Sequence, residues 1–385
     1  MADRPRRPED HTGHGFAEEV AEGVAGRDVS LRRRLADPRT IGSIAFGVLL
    51  LVLLLRLVLN VDFGDVWNRI SHADPGLLLL AMLAYYATFP LRGYRWRYVL
   101  AQVGTPIRLR DATEIIFLSW FVNCLVPAKL GDLYRAYLLK GNVGASFSRT
   151  IGTVFVERIA DIVVIFCLAV AAGFWSFRNN PRPELDAIFA AGFVFAAALV
   201  IGILGLRFLG ERLTRYLPPR VSDLYERFRH GTTGALSPSG VVVIGVVTAF
   251  IWMLEGLRLY FVIRALALPE ANLGISSSVF VALIGSLLTA IPLTPAGVGF
   301  VEVGIVGALA IYGVGSSAAT AVALTDRAIS ILTVIAIGAI VYAVSRKIRR
   351  AHGIGPIGPV EPVVPVEGGD AGEAVERRPE GASGR

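Results

Sequence analysis

Leu125-Val126-Pro127-Ala128-Lys129-Leu130-Gly131 breaks one apolar run, and Leu293-Thr294-Pro295-Ala296-Gly297-Val298-Gly299 breaks another 168 residues later, with Leu, Pro, Ala and Gly in register. The first break lies in Ile115 to Leu139, which also carries three charges; the second lies in Ile275 to Ile311, with a further proline at Pro292. Backbone that cannot stay helical survives at membrane depth only where protein or a watery cavity satisfies its N–H and C=O groups. Each segment is therefore read as a re-entrant helical hairpin. Glu157-Arg158 falls on Asp326-Arg327 at an offset of 169, each pair near the start of the long apolar run after its hairpin. The stretches at about 113–176 and 275–345 thus form a repeat.

Other apolar runs are close to the ~20 residues that cross a hydrocarbon core of roughly 30 Å. They begin near Ile41 and recur at about 76–91, 151–176, 185–207, 240–263 and 320–345. The fold class expected is an all-α polytopic membrane protein with about six transmembrane helices and two re-entrant hairpins. Two spans and one hairpin separate the equivalent spans, so the second copy crosses in the opposite sense and the repeat is inverted. Inverted repeats with broken helices near the midplane are a signature of secondary transporters. Composition agrees: of 385 residues 54% are hydrophobic and 18% charged, with mean hydropathy +0.59. The membrane domain is placed at 40–346. Polar tails at 1–39 and 347–385 have too little apolar content to pack and are expected to be disordered. The run from Ile41 ends without a small-residue cleavage site, so it is expected to be a retained helix.

The 38 Lys and Arg against 31 Asp and Glu give a net charge of +7. The arginines flank apolar runs and form no stripe with aromatics, which argues against a nucleic-acid partner. With the N-terminus inside, Arg32–Arg39, Arg92–Arg110, six arginines from Arg207 to Arg229, and Arg346–Arg350 are cytoplasmic, whereas the outward connections receive only Arg69, Arg178, Arg182 and Arg264. That asymmetry places both termini in the cytoplasm. Arg92 to Arg97, at the end of a short span, are expected to snorkel to the headgroups. Val221, Leu224, Tyr225 and Phe228 recur at helical spacing beside arginines, which suits an amphipathic helix on anionic headgroups or, equally, a solvated loop helix. Cys124 and Cys167 form no CxxC, and the five histidines form no HExxH. Neither a metal site nor a cofactor is expected.

Ionisable residues at bilayer depth are costly and pair or line cavities. Lys129, Asp132 and Arg135 follow the first break; Glu157, Arg158 and Asp161 share one face of the next span. Arg158 either forms a fixed pair with Asp161 or faces a cavity, where its guanidinium fork suits phosphate oxygens. Glu302 has no basic neighbour in sequence and is assigned to the cavity, paired with Arg158 or Arg327 or accepting a coupling proton. Glu255 and Arg258 are read as an internal pair. Asn123, Pro127, Gly131, Thr294, Pro295, Gly297 and Gly299 supply the backbone of the breaks. No ATP-binding motif is present, so any movement of a ligand would be passive or ion-coupled.

With these residues in view, the chain resembles the lysylphosphatidylglycerol synthase transmembrane-region family, also described as flippase-like, over about residues 40–346. The resemblance is carried by Arg95-Trp96-Arg97-Tyr98, by Asn123, Leu125, Pro127, Ala128, Gly131, Asp132 and Arg135, by Glu157, Arg158 and Asp161, and by Thr294, Pro295, Gly297, Gly299 and Glu302. Lys129 and Asp132 stand where Arg and Glu are expected, and Ala296 where Gly is usual. The resemblance implies a membrane domain moving an anionic, aminoacylated or glycosylated lipid headgroup between leaflets, with the hairpins forming the headgroup cavity. Only about 39 residues follow Arg346, too few for a soluble aminoacyltransferase, so no enzymatic activity is expected. The alternative is a lipid-binding scaffold for a separate glycosyl- or acyltransferase. Membrane lipids are the partners expected, and no oligomeric state is assigned. The abundance of Ala, Gly, Val and Arg suggests the inner membrane of a high-GC bacterium.

Overall fold

A computed structural model describes residue 56 and residues 61–126, 129–179, 190, 192–202, 205, 218–234, 237–268, 273–288 and 294–351. The expected tail at 1–39, the run from Ile41, most of the span at 185–207, Pro127, Ala128, Pro292 and Leu293 lie outside these residues. Among them all regular structure is helical. The order is α1 (Phe63–Ser71), α2 (Pro75–Gln102), α3 (Leu109–Leu125), α4 (Leu130–Val143), α5 (Phe147–Phe177), α6 (Pro219–Thr233), α7 (Pro238–Ala265), α8 (Ile275–Leu288), α9 (Phe300–Ile311), α10 (Ser316–Arg327), α11 (Thr333–Val344) and α12 (Arg346–Ala351). A shorter apolar helix occupies Gly192–Gly202. A π-helical turn, Ala328–Leu332, joins α10 to α11 as one 29-residue helix. That helix, α2 and α7 are each long and apolar enough to cross a membrane, and exposed Leu79, Leu83, Val246, Phe250 and Ile340 give them lipid-facing surfaces. This is an all-α membrane protein.

The helices fall into two matching sets. Both α2 and α7 run for 28 residues and begin alike, with an oxygen-bearing N-cap (Asp74 or Ser237) followed by proline at the first helical position, a strong start signal. The Asp74 N–H donates to the Ala265 carbonyl at 2.9 Å, so the start of α2 meets the end of α7 and the two lie antiparallel. After each comes a helical hairpin, α3–α4 or α8–α9. The longest arm, α3 with 17 residues, reaches about 25 Å, short of a hydrocarbon core of roughly 30 Å. A long helix follows each hairpin: the 31 residues of α5 or the 29 of α10–α11. The repeat is therefore wider than the sequence expectation, since it takes in α2 and α7. Each hairpin packs on the other set's long helix: Gly338 of α11 is so close to Phe121 of α3 that an added Cβ would lie 2.5 Å from its ring, while Trp252, Val279 and Leu283 share a buried cluster with Ile165 and Ala169 of α5.

Arg92 and Arg95 correct the expectation of snorkelling. Because α2 continues to Gln102, they sit well inside the helix and are only 3% and 2% exposed. The stretch read as an amphipathic surface helix is α6, and it packs on α5: the Phe155 and Phe228 rings meet at a tilt with centres 5.6 Å apart, and Ser148 donates to the Leu224 carbonyl at 2.9 Å. Two glycines allow this approach, since a Cβ on Gly152 would lie 2.4 Å from the Phe228 oxygen and one on Gly231 would lie 2.1 Å from the Arg149 oxygen. Residues 347–351, assigned from sequence to the tail, belong to α12, where Lys347 pairs with Asp111 at 2.9 Å and with Glu114.

Replacing Gly152 by valine should detach α6, an overpacking cost of about 1–3 kcal/mol. Limited proteolysis of protein in nanodiscs should then cut within 219–233 where the wild type is protected. Equal protection in both proteins would show that the glycine contact does not hold α6.

Candidate functional site

At the first break, Lys129 adopts a left-handed conformation (φ 52°, ψ 36°) immediately before α4. Its counterpart 168 residues on, Gly297, also has positive φ (72°). Side chains rarely adopt this region, and such strain concentrates at functional positions. Asn123 Oδ1 accepts from the Gly131 N–H at 2.8 Å, and Ser119 Oγ donates to the Gly131 carbonyl at 2.7 Å, tying the start of α4 to the end of α3. A Cβ on Gly131 would lie 2.0 Å from the Ser119 carbonyl oxygen, so only glycine fits. At the second break Thr294 Oγ1 donates to the Val298 carbonyl at 2.8 Å, and Gly299, at φ 94°, donates its N–H to Glu302 Oε2 at 2.6 Å.

The third residue of the helix after each break is an acid, Asp132 in α4 and Glu302 in α9. Each clamps the arginine of the following long helix. Arg158 Nε and Nη2 donate to the two Asp132 oxygens at 3.0 and 3.1 Å; Arg327 Nε donates to Glu302 Oε1 at 3.0 Å, and its Nη2 to the Ala296 carbonyl. Arg158 also meets Asp161 at 3.3 Å, while its side chain keeps 29% exposure. Arg158 is thus paired with Asp161 and also lines a cavity. Glu302 pairs with Arg327.

The preceding acids, Glu157 and Asp326, bind an arginine of the long helix that opens their own set. Arg95 donates to Glu157 at 3.1 Å and to Asp161 at 2.6 Å; Arg258 takes both Asp326 oxygens, at 2.8 and 3.0 Å, and reaches Glu255 at 2.6 Å. Arg95 and Arg258 are both the twenty-first residue of their helix, counted from Pro75 and Pro238. Three residues earlier the equivalent positions hold Arg92 and Glu255, and these two bind each other at 2.8 Å, where the sets meet. Arg92 lies 4.6 Å from the Trp120 ring centre and 5.5 Å from that of Trp252. Arg135 reaches Glu157 at 2.7 Å and lies 4.9 Å from the Trp96 ring centre. Truncating one partner of such a buried pair strands the other, a larger loss than exchanging both for apolar groups.

In front of these pairs is a cavity of about 120 Å³. Asn123, Lys129, Asp132 and Arg158 line it from the first set, and Thr294, Gly297 and Arg327 from the second. Arg135, Glu157, Asp161 and Glu302, also named from sequence, stand behind this wall: Asp161 and Glu302 hold the lining Arg158 and Arg327, and Glu157 joins Arg135 to Arg95. Pro127 lies outside the described residues, and Pro295 contributes to the turn Pro295–Gly297. The residues missed from sequence are Arg92, Arg95 and Asp326 as members of the network, and Tyr85, Trp120 and Trp252 as aromatic walls. The signal for the first two was the 163-residue offset between α2 and α7. Among the described residues no cluster of His, Cys, Asp and Glu could hold a metal ion.

Comparison with known proteins meets this geometry at one point: the family model described as the lysylphosphatidylglycerol synthase TM region matches residues 41–338, which contain both hairpins and every pair of this network. The chain belongs to this family. A UPF0104 membrane protein of Methanocaldococcus jannaschii is 35% identical over 229 residues, 59% of this chain and 96% of that protein. The glycosyltransferase AglD of Haloferax volcanii is 28% identical over 327 residues, 74% of this chain but 52% of AglD. A UPF0104 membrane protein of Methanothermobacter thermautotrophicus is 26% identical, with 76% and 93% covered. These three relatives are archaeal, whereas the composition of the chain suggested a bacterium.

The network makes a stability prediction. Arg95→Met leaves Glu157 and Asp161 short of a partner and should cost about 3–5 kcal/mol, read as a large drop in the thermal midpoint of the detergent-solubilised protein. A midpoint within a degree of wild type would show that these carboxylates do not depend on Arg95.

Proposed function

We propose that this protein moves a lipid headgroup between leaflets, the headgroup entering the cavity between the two hairpins while the acyl chains stay in the bilayer. The observation that carries this reading is the pairing of Arg158 and Arg327: equivalent arginines of two inverted sets face one cavity, each held by the acid at the start of its hairpin's second helix. Arginine forks match phosphate oxygens in two-point hydrogen bonds. A phosphate can therefore take the place of a carboxylate at either arginine, with Asp132 or Glu302 released from its pair as it does so. A helix inversion of this kind also suits exposure of one site to each side in turn. Neither step calls for catalysis by this chain, and nothing in the described residues suggests a nucleophile poised beside a base.

In this reading the protein lies in the cytoplasmic membrane with both termini inside, as the arginine distribution suggests. Membership of the family and the likeness to AglD, which is named a glycosyltransferase, favour a headgroup from the making of an aminoacylated or glycosylated lipid. AglD also favours a second reading: the relative is about twice the matched length, so a module like this one can serve as the membrane part beside an enzyme. As a scaffold it would bind lipid and position a separate glycosyl- or acyltransferase.

Reconstitution separates the two. Liposomes containing the purified protein and a tail-labelled anionic lipid should exchange that lipid between leaflets faster than empty liposomes. Arg158→Ala and Glu302→Gln should slow the exchange about tenfold or more, the scale of one lost charge-assisted hydrogen bond of about 1.5–3 kcal/mol. Exchange no faster than in empty liposomes, with unaltered capture of a lipid-modifying enzyme, would replace transport by the scaffold reading.

A further inference from the structure

Resting on that reading of the cavity, we propose that its ligand carries one uncompensated negative charge, that of a phosphodiester, and that Lys129 is the cation that receives it. The argument is one of charge balance in a buried place. The network contains six carboxylates, and six arginines match them, each acid lying within 4 Å of at least one guanidinium. Lys129 is the seventh cation. Among the described residues no carboxylate lies within 4 Å of its ammonium, yet it lines the cavity. Asp132 and Asp161 both direct their oxygens to Arg158. Across the cavity Arg327 and Arg258 are held by Glu302 and by Asp326 with Glu255. Among the described residues the cavity and its network are thus one negative charge short of neutrality.

The shortfall belongs to the first set alone. At the equivalent position the second hairpin has Gly297, which brings no charge, and the strained side chain of that turn is the uncharged Ala296 (φ 50°). The first hairpin keeps a lysine there in a conformation that L side chains disfavour. A strained residue held with an unpaired charge against a cavity is a mark of function. Space permits the ligand: one water needs about 10–15 Å³ by the same measure, and the cavity has about 120 Å³, room for a phosphate group. Asn123, whose Oδ1 is used by Gly131, has its amide hydrogens to offer beside Lys129 and Arg158. A zwitterionic headgroup leaves the charge excess unchanged, an aminoacyl ester with a net positive headgroup enlarges it, and a pyrophosphate reverses it. Unbalanced charge is costly at this depth, so the diester monoanion fits best.

The test uses the full chain in phosphatidylcholine nanodiscs, with binding read by microscale thermophoresis. The ligands are short-chain phosphatidylglycerol (a diester monoanion), short-chain phosphatidylcholine (a zwitterion), the lysyl ester of the former (net cationic) and inorganic phosphate. Phosphatidylglycerol should bind tightest. Lys129→Met should weaken it about tenfold or more and erase its advantage over the zwitterion, while Lys129→Arg restores it. Both variants should elute from size exclusion as the wild type does. Equal binding of the zwitterion or the lysyl ester, or indifference to Lys129→Met, overturns the proposal and leaves the headgroup reading standing. Inorganic phosphate binding as tightly as the lipid would make the ligand a free anion, and no binding of any lipid would remove the headgroup reading itself; either result overturns the proposal.

Discussion

Charge cannot be left alone inside a membrane, and this structure is organised around meeting that condition. On insertion scales a single arginine or aspartate at the middle of a helix costs about 2.5–3.5 kcal/mol. Here guanidinium and carboxylate groups from four long helices are buried together, and each is acceptable only because the others are in place. The Arg92–Glu255 pair joins α2 to α7; Arg95 with Glu157, and Arg258 with Asp326, join those helices to α5 and α10. The hairpins are fixed to the same frame through Asp132 and Glu302. Lipid tails give no hydrophobic force between helices, so in this bundle electrostatic pairing joins the close apolar and glycine contacts in fixing which helix sits beside which.

The same network accounts for the site. An arginine already satisfied by carboxylates does not attract a ligand strongly, but it can exchange one oxygen anion for another. A cavity lined by such groups offers recognition without trapping, which suits the headgroup passage proposed above. Pairing arranged by an inverted repeat supplies two equivalent places for this exchange, one from each set. The two are not identical in charge: the first set has Lys129, Arg135 and Asp161 where Gly297, Ile305 and Ser330 occupy the corresponding places of the second.

Much of this was legible in the sequence, and the division between what was and was not has a physical basis. The two breaks were legible because proline and glycine act on their own backbone. So were the Glu157-Arg158 and Asp326-Arg327 matches, because adjacent residues on one helix keep their spacing. Arg92 and Arg95 were misread because their partners are remote, with Glu255 163 positions from Arg92 and Glu157 62 from Arg95. Taken alone, an arginine cluster at the end of an apolar run looks like an interfacial anchor. The symmetry that would have placed it is one of position and not of identity, since Arg92 is matched by Glu255, its own counter-ion. The docking of α6 was hidden similarly, for glycines 79 positions apart, Gly152 and Gly231, permit the contact.

The π-helical turn at Ala328–Leu332 has a consequence for how this helix tolerates change in length. A turn closed by i to i+5 bonds holds one residue more than an α-helical turn, and one residue corresponds to about 100° of rotation around the axis. The segment therefore sets the azimuth between Arg327, which faces the cavity, and Gly338, which lies against Phe121. Loss of one residue here would leave the helix as continuous as before but turn its second half away from α3. Natural length variation in this membrane domain is accordingly expected in the loops, with this stretch of helix invariant in length although its side chains are ordinary.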